Sequence, residues 1–232
     1  PIDAFITMSE KVMTDLKKFS SKPAKQIVHP LYDNFGDAIP KETARKYLNI
    51  SEQENIILFF GFIRKYKGLD MLFEAMQLIR NKKEVIKNIK LLVAGEFYED
   101  RKLYDDLIQQ LGIADSLILR TDFIADSEVK YYLSAADFVI QPYRNATQSG
   151  VTPLAYHFNK PMLVTNVGGL PDLVPDYRVG LVAEPTVASI AAKIEELYLL
   201  GENYFLPNIL SEKKKYSWEK LVNTIQNLAD QD

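Results

Sequence analysis

"NIILFFGFIRKYKGLDMLFEAMQLIRN", residues 55–81, reads as a strand, a basic turn and a helix in succession. The apolar run ends on Gly61, three cations follow at Arg64, Lys65 and Lys67, and beyond Gly68 a helical pattern begins. The same alternation extends in both directions. Downstream come "IKLLVAGE" then "DRKLYDDLIQQLG", "SLILRTDF" then "DSEVKYYLSAA", and "DFVIQPY" then "GVTPLAYHFN". They are followed by "PMLVTNV" then "LPDLV", and "VGLVAE" then "TVASIAAKIEELYLL". Upstream lie "DAFITMS", "EKVMTDLKKF" and "QIVHP". Short β-branched runs separated by helical patterns of roughly 10–15 residues predict βαβ units and a mostly parallel sheet. The expected fold is therefore α/β, a doubly wound Rossmann-like parallel sheet.

The rhythm breaks at "HPLYDNFGDAIPKE", residues 29–42, where proline, glycine and acidic residues intervene. Residues 1–30 then read as the last strand, helix and strand of an upstream domain, 31–42 as an interdomain linker, and 43–232 as a Rossmann-like domain of ordinary size. The opening "PIDAFITMSE" has no initiator Met, basic n-region or apolar h-region, so it reads as a chain entered part-way along a longer protein. The last helix, "SWEKLVNTIQNLAD", starts on a Ser217 N-cap and carries Trp218, Leu221, Ile225 and Leu228 at helical spacing. That stripe needs a surface to cover.

Composition narrows the function. With 28 basic against 31 acidic residues, no overall field favours nucleic acid or an anionic membrane. The absence of cysteine removes disulfides and thiolate metal sites, and His29 and His157 alone cannot make a histidine-rich metal centre. A cytoplasmic address fits. No apolar run approaches the roughly 20 residues that span a bilayer.

In an open parallel sheet the ligand lies beyond the carboxyl ends of the strands, so four loops matter. In "FIRKYKGLD", cations beside a backbone turn suit a diphosphate, Arg64 gripping oxygens bidentately and Lys67 acting as a point charge; a solvated basic loop is the alternative. "GEFYEDRKL" offers Glu96 and Glu99 but lacks the glycines of a dinucleotide fingerprint, which argues against an NAD enzyme. "RTDFIADSEV" pairs a strand end at 121–124 with an Asp126/Ser127 helix cap; Phe123 and Ile124 there are candidates for contacting a base. The fourth loop, "QPYRNATQSG", leads into a helix start. Backbone N–H groups of Ser149, Gly150 and Val151 are expected to take phosphate oxygens, helped by the Thr152 hydroxyl, with Tyr143, Arg144, Asn145, Thr147 and Gln148 crowding the loop before them. His157 reads as a packed, hydrogen-bonded helix histidine, and His29 as structural.

Taken in order, "FFGFIRKYKGLDMLFEAM", "KLLVAGEFYEDRKLYDDLIQQLGIADSLILRTDFI", "YYLSAADFVIQPY" and "HFNKPMLVTNVGGLPDLV" resemble the donor-binding half of family 4 (group 1) glycosyltransferases over nearly the whole chain. The resemblance implies the C-terminal half of a two-domain GT-B enzyme. Such an enzyme binds a nucleotide-diphosphate sugar, UDP-, GDP- or ADP-linked, and transfers the sugar with retention, without metal or cofactor. The acceptor, a glycan or lipid-linked glycan, and a catalytic histidine are expected in the missing N-terminal domain, so the fragment alone is expected to be inactive. Polysaccharide assembly, with peripheral attachment at the inner membrane surface through the full-length protein, is the corresponding setting. The terminal helix is expected to cross back to the absent domain.

By the same resemblance Lys67 matches the lysine that neutralises the donor diphosphate. The arginine usual after the strand-ending glycine is Phe62 here, which makes Arg64 the substitute candidate. Two glutamates usual near sugar and ribose are Ala146 and Leu154, so Thr147, Gln148 and Ser149 are the remaining groups for that task. A non-catalytic nucleotide-sugar module and a GT-B sugar epimerase are the alternatives.

Overall fold

The computed structural model describes residues 2–32, 34–82 and 86–230. In chain order the regular elements are β1 (Phe5–Thr7), α1 (Glu10–Leu16), β2 (Ala24–Gln26), α2 (Lys41–Leu48), β3 (Asn55–Phe60), α3 (Leu69–Lys82), β4 (Ile89–Ala94), α4 (Arg101–Leu111), β5 (Leu117–Arg120) and α5 (Val129–Ala135). They continue with β6 (Phe138–Gln141), α6 (Val151–His157), β7 (Met162–Thr165), α7 (Leu170–Leu173), β8 (Gly180–Ala183), α8 (Val187–Leu200), α9 (Glu202–Glu212) and α10 (Trp218–Ala229).

Six strands form one sheet in the order β5-β4-β3-β6-β7-β8, every pair parallel. The chain builds outward from β3 to β5, returns to place β6 beside β3, and builds outward again to β8. Its winding reverses between β3 and β6, where a doubly wound sheet opens a crevice at its carboxyl edge. Helices cover the strands, so the central ones read as continuous apolar runs rather than alternating ones. Ile56, Ile57, Leu58 and Phe59 are almost wholly buried, as are all residues of β6 and β7. The doubly wound α/β expectation holds.

β1 and β2 pair in parallel with each other, and neither is hydrogen-bonded to the larger sheet. Two bonds link the segment after β2 to the end of the chain: Leu31 N–H donates to the Tyr216 carbonyl at 2.9 Å, and the Trp218 indole donates to the Leu31 carbonyl at 3.1 Å. Ser217 caps α10 through Lys220 N–H, and Ile225 and Leu228 share a surface cleft with Phe5 and Ile6 of β1.

A buried charge cluster ties α2 to the sheet. Asp137, ahead of β6, accepts from Arg45 Nη2 at 3.0 Å, Lys41 Nζ at 2.6 Å and the backbone N–H of Ile56 at 2.6 Å. Arg45 and Asp137, largely shielded from water, persist as charges only because they are paired and hydrogen-bonded.

"LPDLV" takes its place in the alternation as the short helix α7, with Pro171 in its first turn, where the missing N–H costs nothing. Three local expectations change. β5 stops at Arg120, so residues 121–124 form a loop rather than a strand end. The strand expected at "QIVHP" lies slightly upstream, at Ala24–Gln26. α9 carries Pro207 inside it, a helix breaker that masks the pattern, although Phe205 and Ile209 are fully buried.

Candidate functional site

A cavity of about 350 Å³ opens at the carboxyl ends of β3, β4 and β6, within the ordinary size range of small-molecule sites. Its floor exists because two strand ends touch. Gly95 has φ +139°, and a Cβ there would lie 2.4 Å from the Gly61 carbonyl oxygen, so only glycine lets β3 and β4 close at this point.

Lys67 enters from a 3₁₀ turn at Lys65–Lys67 that ends on Gly68. Its ammonium passes close beside Gly61 and stands 5.8 Å from the centre of the Tyr143 ring. The side chain is buried, and no carboxylate pairs with it among the described residues. Burial first, and the neighbouring Arg64 charge second, push its pKa down to about 8. Arg64 itself does not line the cavity; its guanidinium lies over the Tyr98 ring, 5.1 Å from the centroid. Phe62, in the place of the expected arginine, does line it and packs against Tyr98.

The loop between β6 and α6 forms the opposite wall. Arg144 holds it to the start of α3 by a two-pronged pair with Asp70, at 2.6 and 2.8 Å, while its backbone N–H donates to the Tyr66 carbonyl at 2.7 Å. From below, Gly168 at φ +54° lies so close to the Ala146 carbonyl that a Cβ would overlap it at 1.5 Å. The first half of the loop is thereby fixed at two points.

The helix start is arranged differently from the expectation. Ser149 Oγ accepts the Val151 N–H at 3.2 Å and bonds the Tyr143 hydroxyl, so the Val151 amide is already engaged and is not a free phosphate donor. The Thr152 hydroxyl donates to Gln141 inside the core and is likewise withdrawn. The backbone N–H groups of Ser149 and Gly150 remain without an acceptor among the described residues. Thr147 is exposed and outside the cavity lining. Gln148 lines the cavity and donates to the Met8 carbonyl at 2.5 Å, tying this loop to the segment after β1.

Phe123 and Ile124 lie on the β5 side of the cavity, Phe123 strongly exposed. Asp126 also lines it. The expected Asp126/Ser127 cap is absent: neither the 3₁₀ turn at Asp126–Glu128 nor α5 has a side-chain cap. His157 bonds the Gly36 carbonyl at 2.7 Å and His29 the Pro30 carbonyl at 2.7 Å, and neither lines this cavity. Glu96, Tyr66 and Tyr143 also line the cavity, with no role assigned to them from sequence. Glu96 and Tyr143 each stand two residues past a strand end, the one signal by which such positions are found. Among the described residues no three acidic or histidine side chains cluster as metal ligands, and no helix is long and apolar enough to cross a membrane.

These features define a class: a doubly wound α/β domain with a cation-bearing cavity at its topological switch point. Residues 40–216 match the family of glycosyl transferases group 1. The chain belongs to that family. It is 27% identical over 197 residues to the lipopolysaccharide 1,2-N-acetylglucosaminetransferase of Salmonella typhimurium, a match covering 81% of this chain and 51% of that protein. Over 214 residues it is 27% identical to the D-inositol 3-phosphate glycosyltransferase of Segniliparus rotundus, covering 87% and 46%. The chain thus spans about half the length of these relatives. Among solved structures, Anabaena HepE in complex with UDP matches with a TM-score of 0.85 at 16% identity, covering 99% of this chain and 64% of that one. Sucrose-phosphate synthase from Thermosynechococcus elongatus matches with a TM-score of 0.80 at 20% identity, covering 100% and 58%. At such identities the likeness is one of fold, the Rossmann-like unit of GT-B glycosyltransferases.

Proposed function

We propose that this chain is the donor-binding part of a retaining, metal-independent family 4 glycosyltransferase and holds a nucleoside-diphosphate sugar in the cavity between β3 and β6. The observation that carries this reading is Lys67, a buried ammonium at the switch point with no carboxylate partner among the described residues. A desolvated cation of that kind gains most from an arriving anion. A diphosphate meets the need, and the Ser149 and Gly150 amides add two further donors to it.

The chemistry follows from charge. As the glycosidic bond to the diphosphate breaks, negative charge grows on the leaving phosphate. Donors fixed before the reaction stabilise that charge more than they stabilise the bound donor. Lys67 and the two amides are such donors. Phe123 and Ile124 then receive the base, and Gln148 faces the nucleotide or sugar. The solved UDP complex of Anabaena HepE, which shares the fold, supports a nucleotide site. The relative named for lipopolysaccharide supports a glycan or lipid-linked acceptor, bound through an N-terminal domain. Residues 1–30 read as the end of that domain and 31–42 as the linker.

Calorimetric titration of the chain with UDP, GDP and ADP tests the site. The expected result is binding of one diphosphate in preference to the others, weakened at least about tenfold in Lys67→Ala. Equal affinity in Lys67→Ala overturns the assignment. A second reading, a non-catalytic nucleotide-sugar module, draws on Ala146 and the buried Leu154, neither of which accepts a bond from a hydroxyl. Sugar transfer by the full-length protein separates the two.

A further inference from the structure

We infer that the Glu96 carboxylate binds the ribose hydroxyls of the nucleotide, an assignment that rests on the donor-site reading above. The cavity crosses three strand ends. The Lys67 ammonium stands beside Gly61 at the end of β3, Gly95 touches Gly61 from the end of β4 with Glu96 next in sequence, and the Phe123–Ile124 loop follows β5. Neighbouring strands lie about 4.8 Å apart, so each strand end is roughly one nucleotide component further on. A nucleotide read from its phosphates presents anion, then hydroxyl donors, then a flat ring. The cavity presents cation, then carboxylate, then apolar loop in the same order.

Glu96 is also chemically available. A carboxylate only accepts hydrogen bonds, so it suits hydroxyl groups and not phosphate oxygens. Nearby acids are committed: Glu99 accepts the Lys65 N–H at 2.7 Å, and Asp70 is held by Arg144. The partly buried Glu96 carboxylate has no such partner among the described residues, while its backbone is pinned by the Ile63 N–H at 2.8 Å. The other lining carboxylate, Asp126, is exposed and lies beyond the β5 loop.

The test compares each ribonucleoside diphosphate with its 2′-deoxy counterpart by calorimetry, in the unsubstituted chain and in Glu96→Ala. The unsubstituted chain is expected to favour the ribo form by at least about tenfold, and Glu96→Ala to narrow that ratio to within about threefold. If Glu96→Ala does not fold, the isosteric Glu96→Gln reads the same ratio and is expected to reduce it. A ratio near one in the unsubstituted chain overturns the assignment. So does a ratio that survives substitution, because a group other than Glu96 would then be reading the 2′-hydroxyl. Failure of the unsubstituted chain to bind any of the three ribonucleotides overturns the donor-site reading, and Glu96 with it.

Discussion

Lys67 gives the site a pH signature. Its pKa in the folded chain is pushed down to about 8 by burial and the Arg64 charge, against 10.5 for an ordinary lysine. Raising the pH through about 8 removes the ammonium, so diphosphate affinity is expected to fall between about pH 7 and 9. Isothermal titration across that range checks it, and the slope is expected to vanish in Lys67→Ala. The stability term runs the other way. Between 8 and 10.5 the unfolded chain holds more protons at this lysine than the folded one, so its contribution to stability rises with pH across that window and is flat below it. The lysine is legible in sequence because a cation between a strand end and a helix is a local pattern. The direction taken by Arg64 is not legible, because the Tyr98 ring that it covers comes from the next strand's loop.

At the scale of elements, the site depends on the closure of β3 onto β4. Gly95→Ala would place a methyl group 2.4 Å from the Gly61 carbonyl at φ +139°, so the strand ends must part. The expected cost is about 2 kcal/mol or more in urea unfolding, with loss of nucleotide binding beyond the loss of stability. The pair between Arg144 and Asp70 behaves differently because both side chains are about one-third exposed. Asp70→Asn is expected to cost about 1 kcal/mol or less in the same unfolding experiment. Its larger effect belongs to the β6–α6 loop, which hydrogen exchange at residues 144–150 would report as faster opening. The turn at Ser149–Gly150 is visible in sequence from its small residues ahead of a helix. Which amides stay free is decided by Ser149 Oγ, which selects Val151 N–H over the alternatives, and no spacing rule predicts that choice.

For the whole molecule, the buried Asp137 joins α2, β3 and the segment before β6 into one unit. Asp137→Ala leaves Arg45 buried without its counter-charge, at an expected cost of about 3–5 kcal/mol, measured as the free energy of urea unfolding. By contrast, α10 has no buried residue among those described, so ending the chain after Tyr216 is expected to move the thermal midpoint by less than about 4 °C. The alternation of strand and helix, the parallel sheet, the cation after β3 and the turn before α6 can be read from the residues alone, since each depends on residues near one another in the chain. Where a proline interrupts the periodicity, as in α9, even an element was hidden. The tertiary structure alone decided which of those groups share a cavity. The meeting of Gly61 with Gly95, the placing of Glu96 one strand from Lys67 and the withdrawal of the Thr152 hydroxyl into the core all arise from contacts between segments distant in sequence. Such contacts follow from the order in which strands pack, to which local periodicity is blind.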